Sequence, residues 1–194
     1  MSTILSSGST SNLDALAVVG AADFGTPTYS GVAMGRMVLG TSQNTTSGTS
    51  IDFTSIPSWA KRITVMFSGV STNGTSNIQL QIGNGSIVTS GYLSGCIQAA
   101  GGGTVALATL GTGLYVASPT AATAAFRGVG SLVLLSAATN TWCWSSTVAD
   151  GINDRDYACS GDKSLAGTLD RIRLTTVNGT DTFDAGSVNI LYEG

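Results

Sequence analysis

The chain contains no histidine. That removes Ser-His-Asp and Cys-His catalysis, His-ligated zinc, His-held haem and histidine-based pH sensing. Charge is scarce as well: charged residues are 10% of the 194 positions, against roughly a quarter in an ordinary soluble domain. Eight Lys and Arg are scattered among eleven Asp and Glu, so no basic patch is there to hold a nucleic-acid backbone. Glu193 is the one glutamate, which leaves glycosidase-type carboxyl pairs to aspartates alone. Cysteine is thin: Cys96, Cys143 and Cys159 are odd in number and have no C-x-x-C spacing. Neither a zinc site nor a disulfide framework is therefore expected. The three read as small buried hydrophobes in a reducing cytoplasm, with a Cys143–Cys159 bridge as the remaining alternative. The apolar stretch Leu13 to Ala22 includes Asp14 and is too short to span a bilayer. The first basic residue is Arg36, so no secretory signal is expected and the chain is expected to be made in a cytoplasm.

What is abundant is small and apolar. The chain holds 25 Ser, 26 Thr and 26 Gly, and hydrophobic residues are 42%. Low charge with low hydrophobicity would mean disorder; low charge with ample hydrophobicity means a folded, sparsely charged surface. With a net charge of only −3, little keeps copies apart.

Residues 1–47 form an irregular N-terminal extension. They open on S-S-G-S-T-S-N, pass through a segment with one or two helical turns capped by Asn12, and continue with scattered glycines. From 48 to 194 strands and turns alternate. R-I-T-V-M-F-S-G-V, with Ile63, Val65 and Phe67 on one face, and N-I-Q-L-Q-I-G, with Ile78, Leu80 and Ile82 inward and Gln79 and Gln81 outward, predict a β-hairpin about Asn73-Gly74. T-V-A-L-A-T-L and G-L-Y-V-A-S are further strands. S-L-V-L-L-S predicts a strand covered on both faces, and T-W-C-W-S-S sets Trp142 and Trp144 opposite Cys143. L-D-R-I-R-L-T-T-V and S-V-N-I-L-Y predict a second hairpin through Asn178-Gly179. About eight short strands and no helical stripe predict an all-β fold: an antiparallel, jelly-roll-like β-sandwich over 48–194.

Several residues stand out chemically. The charged segment Asp150 to Tyr157 is the candidate glycan site: Asn153, Asp154, Arg155 and Asp156 offer hydrogen bonds, and Tyr157, Trp142 and Trp144 offer flat faces for sugar C–H groups. The alternative is that the aromatics are core or subunit-contact residues and the loop is merely solvated. Three acids within a short loop do not make an acid–base pair, so no enzymatic activity is expected. Asp52, Arg62, Arg171 and Arg173 are candidates for ion pairs between strands. Arg171 and Arg173 share a face, which makes them a candidate subunit contact with a neighbour's Asp170, Asp181 or Asp184, or else a solvated surface. Trp59, after Ile56-Pro57, is expected to cap the core. N-G-T-D-T-F-D-A-G is expected to be an Asx-closed turn with Phe183 plugging the sandwich end; a calcium loop on Asp181 and Asp184 is the weaker alternative. The N-x-S/T triplets at Asn44, Asn73, Asn84 and Asn178 are no more than such a composition produces by chance. No metal or cofactor is expected.

Ile51 to Asn77, with W-x-K-R-I-T-V, and Leu169 to Glu193, with N-G-x-D-x-F-D-x-G, resemble a module of bacteriophage tail fibres and related virion proteins. G-Y-L-S-G at Gly91 to Gly95 resembles it too. The resemblance covers about 48–194 and carries no catalytic motif. It implies a homotrimeric tail fibre or fibre tip in the virion, adsorbing to host surface polysaccharide, with residues 1–47 attached to other virion proteins. Two alternatives remain. One is an architectural baseplate, collar or capsid-decoration protein that binds only virion proteins; the other is a free bacterial sugar-binding sandwich.

Overall fold

The computed structural model describes residues 35–194 and, before them, two short strands, β1 (Thr28–Tyr29) and β2 (Val32–Ala33), which pair antiparallel. The chain divides into two units, Met1–Met34 and Gly35–Gly194. The helical turns expected near Asn12 lie outside the described residues. In chain order the second unit runs β3 (Met37–Leu39), β4 (Gln43–Asn44), β5 (Ser50–Thr54), β6 (Arg62–Thr72), β7 (Ile78–Asn84), β8 (Ser86–Ile87) and β9 (Leu93–Ala100). It continues with β10 (Thr104–Leu110), β11 (Leu114–Ala117), β12 (Phe126–Ser136), β13 (Thr141–Asp150), β14 (Arg155–Ser164), β15 (Arg171–Thr176) and β16 (Phe183–Glu193).

The fold is all-β, and the sandwich is antiparallel. The larger sheet has the order β10-β9-β14-β13-β12-β6-β16-β3, with β4 also on β16; the smaller has β11-β7-β15-β5, with β8 on β7. Strands β3 and β4 pair with β16, so the sandwich takes in residues 35–47 that the sequence pattern assigned to the extension. Two- and three-residue strands are too short to show a period, which is why they read as irregular.

Both predicted hairpins are absent. β6 pairs with β12 and β16 in the larger sheet, while β7 pairs with β11, β15 and β8 in the smaller. β15 and β16 are divided in the same way. The chain crosses the sandwich at Asn73–Asn77 and again after Thr176, so the aliphatics of successive strands face one another across the core. Ile63, Val65 and Phe67 of β6 and Ile78, Leu80 and Ile82 of β7 are all buried there. Alternation reports which side of a strand is apolar, not whether the next strand lies beside it or opposite. The crossing at 73–77 is held by Asp181, whose carboxylate accepts the Ser76 N–H at 3.0 Å and the Asn178 amide at 2.6 Å. Asp181 also lies so close to Gly74 that a Cβ there would have to displace its carboxylate. The second crossing is the expected Asx turn: Asn178 Oδ1 accepts the N–H groups of Thr180 and Asp181, Gly179 has φ +66°, and Phe183 is buried. Asn84-Gly85 is the real hairpin turn, joining β7 to β8 with Gly85 at φ +67°.

Gln79 and Gln81, expected outside, are buried. The segment between β10 and β11 folds over them: Gln79 Oε1 accepts the Thr112 hydroxyl at 2.8 Å, and Gln81 donates to the Thr112 carbonyl at 2.9 Å. A buried amide is tolerable only when bonded in this way. Trp59 packs half-buried against the core edge beside Tyr192, ring centroids 5.6 Å apart.

Cys96 and Cys159 form a disulfide, contrary to the expectation of three free thiols or a Cys143–Cys159 bridge. They stand directly opposite each other on the adjacent antiparallel strands β9 and β14. Cys143 is free and points outward from β13, on the face away from Trp142 and Trp144.

Candidate functional site

The seven residues of the candidate glycan site separate into two groups. Trp142, Trp144 and Tyr157 point into the sandwich and are 2%, 2% and 1% exposed. Trp144 donates its indole N–H to the Tyr115 carbonyl at 2.9 Å, and Tyr157 its hydroxyl to the Ser118 carbonyl at 2.6 Å. None can stack on a sugar. The correction has a simple cause: W-x-W alternation fixes that both rings share a face, and in the larger sheet that face is the core.

Burial also raises the pKa of three tyrosines, Tyr92, Tyr115 and Tyr157, and pushes Tyr92 and Tyr157 up to about 12. Tyr92 donates to the Val88 carbonyl at 2.7 Å and accepts the Ile82 N–H at 2.8 Å. Each folded value lies above the unfolded value of about 10. Their neutral forms therefore stabilise the fold fully below pH about 10, and this contribution is lost as pH rises through about 12. Tyrosinate absorbance from these two residues is expected to appear together with loss of β-sheet circular dichroism in an alkaline titration. Ionisation of all five tyrosines near pH 10 in the folded protein would contradict it.

The remaining four residues surround the β13–β14 turn. The loop is shorter than the sequence suggests, since Arg155, Asp156 and Tyr157 already belong to β14 and only Gly151–Asp154 turn. Asp150, fully buried, organises it: its carboxylate accepts the N–H groups of Ala125, Ile152 and Asn153 and the Asn153 amide at 2.7 Å. Asn153 is thereby held inside the loop. Asp154 adopts φ +52°, a left-handed conformation that Asp tolerates better than most residues. Its carbonyl accepts the Gly101 N–H at 3.0 Å, and its carboxylate lies where a Cβ on Gly101 would be. Gly101 begins the G-G-G turn of the β9–β10 hairpin, a contributor that β-pattern reading overlooked although the glycine triplet marks it.

Between the two turns lies a depression of about 270 Å³, bordered by Ala99, Gly101, Asp150, Asp154, Arg155 and Asp156. Asp154 and Asp156 are exposed, and Arg155 has a buried Nε without a partner. Such a rim can accept hydroxyl protons and donate from one guanidinium. Its volume is below the roughly 300–1,000 Å³ of drug-sized ligand pockets, so it suits one sugar ring or a smaller group.

The arginine face is balanced within the chain. Arg173 meets Asp52 in a two-pronged pair, both N···O distances 2.7 Å, across the β15–β5 ladder. Arg171 meets Asp170 at 2.7 and 3.1 Å, and its guanidinium holds the Asp170 carboxyl below the usual carboxylate range. Neither arginine needs an acid from a neighbouring subunit to balance its charge. Arg62 lies 4.0 Å from Glu193. Asp181 is committed to the crossing described above, and among the described residues no three Cys, Asp or Glu gather to hold a metal.

Comparison with protein-family models, curated proteins and solved structures finds no match. The resemblance to the fibre module therefore stands on the quoted strings alone.

Proposed function

We propose that this protein is a virion structural protein, a homotrimeric phage tail fibre or fibre tip that adsorbs to host surface polysaccharide. One observation carries the reading. The two strings that resemble the fibre module supply β6 and β16, which pair along their length, from Thr72–Phe183 to Arg62–Glu193, as adjacent interior strands of the larger sheet. The stretches that resemble the module are thus the frame of the fold rather than its decoration. A trimer would present three copies of the polar depression at Asp154, Arg155 and Asp156, and multivalency would compensate for a small, aromatic-free site.

The experiment is competition. Purified protein should block adsorption of virions to host cells, and the double variant Asp154→Ala, Arg155→Ala should block at least about tenfold less well, the loss expected from two or three hydrogen bonds. Absence of any block by the wild-type protein overturns the adhesive reading.

An architectural role in baseplate, collar or capsid decoration is favoured by one specific finding, the burial of Trp142, Trp144 and Tyr157. Under that role the labelled protein sits away from the fibre tips in particle images, and the competition fails.

A further inference from the structure

Two adjacent rows on the outer face of the larger sheet are free of charge. Register places Leu107, Ile97, Ala158, Thr147, Val129 and Met66 in one transverse row across six strands. The next row runs Thr109, Gly95, Ser160, Ser145, Ser131 and Thr64. Neither row contains an ionisable side chain. The two rows, six strands at ~4.8 Å spacing and about four residues at ~3.3 Å, cover on the order of 400 Å². The rows on either side carry Arg62 and Arg127 on β6 and β12 at one end and Asp156 and Asp162 on β14 toward the other, and with them the face reaches on the order of 700 Å², close to the ~800 Å² per partner of a stable interface.

The patch has two unlike ends. At one end the β9–β10 hairpin projects: every residue from Thr104 to Thr109 is exposed, Val105 at 64% and Leu107 at 79%. Its outer strand has neither charge nor proline to blunt pairing or docking, which an exposed edge ordinarily needs. At the other end is a depression of about 320 Å³, bordered by Arg62, Thr64, Val129, Ser131, Ser145 and Thr147. S-L-V-L-L-S, expected to be covered on both faces, lies beside it with Val133 and Leu135 in the open. An unpartnered projection and an unfilled depression on one molecule are the two halves of a heterologous contact. Two projections meeting each other would leave both depressions empty.

We infer that a second copy of this chain docks its β9–β10 hairpin into the depression at Val129 of its neighbour, head to tail. The inference rests on the fibre reading only for the number of copies, three, at which the ring closes. Thr109 shares the Leu107 face of the hairpin, so its hydroxyl offers the hydroxyls of Thr64, Ser131 and Ser145 a bonding partner when water leaves.

The test is a charge swap in the full chain, read by sedimentation equilibrium. Wild type is expected to be a trimer. Leu107→Lys and Val129→Glu, both at exposed positions, are each expected to give folded monomers, with assembly weakened at least tenfold. The chain carrying both is expected to reassemble, because a head-to-tail contact sets each lysine against a glutamate. Near-ultraviolet circular dichroism verifies the fold of every variant. If the double variant stays apart, like meets like and the head-to-tail geometry is wrong. If the single variants assemble like wild type, this face is not the contact, while the fibre reading survives. A wild-type monomer overturns both, including the case in which residues 1–34 of the same chain cover the face.

Discussion

Replacing Trp144 with alanine should lower stability by about 3–5 kcal/mol, the usual cost of deleting a fully buried tryptophan, and that is a large part of the 5–15 kcal/mol a domain possesses. The side chain is 2% exposed, lies directly beneath Gly130 of β12, and ties β13 to the smaller sheet through the Tyr115 carbonyl. Phenylalanine at this position keeps most of the apolar contact and removes the hydrogen bond, so Trp144→Phe should cost less, about 1–3 kcal/mol. Gly130→Val should be damaging from the other side, since any Cβ there meets the indole ring. Urea denaturation followed by tryptophan fluorescence ranks the three. An alanine variant as stable as wild type would mean that Trp144 is not a core residue, and would restore it as a surface platform for sugar.

Reduction of Cys96–Cys159 should be the other large effect. The bridge closes a loop with a sequence separation of 63, for which chain entropy gives about 4 kcal/mol. On a domain of this size that is a fall in Tm on the order of 10 °C. Calorimetry with and without reductant measures it, in a Cys143→Ser background so that the free thiol adds nothing. Cys159→Ser should reproduce the fall without reductant. An unchanged Tm would place the two thiols side by side but unjoined in solution.

Strand identity was largely legible in the sequence because alternation is local. T-V-A-L-A-T-L, G-L-Y-V-A-S and T-W-C-W-S-S are all strands as expected. Partnership was not legible, because it is decided by residues far away. Asn73-Gly74 looked like a hairpin turn, yet β6 finds its neighbours in β12 and β16. The odd cysteine count argued against a bridge, and only the pairing of β9 with β14 brings Cys96 opposite Cys159. The candidate site divided along the same line. Local chemistry marked the polar residues Asn153 to Asp156 at the β13–β14 turn and the strand that follows it, whereas the direction of the tryptophans depended on which face of a distant sheet became the interior. Asp52 and Arg173 were legible as members of an ion-pair group, but which acid meets Arg173 was not, since only the pairing of β15 with β5 sets Asp52 beside it.

The pairing of β6 with β16 sets a limit on how the molecule can be made. Residues 62–72 find one of their two lateral neighbours in residues 183–193, so a growing polypeptide must hold β6 half unpartnered until those residues clear the ribosome tunnel. Sheets built from such distant sections close slowly and expose apolar edges while they wait. Stalling translation before Phe183 should therefore yield nascent chains that bind chaperones and yield to protease, whereas emergence of residues 183–193 should bring protection in a single late step.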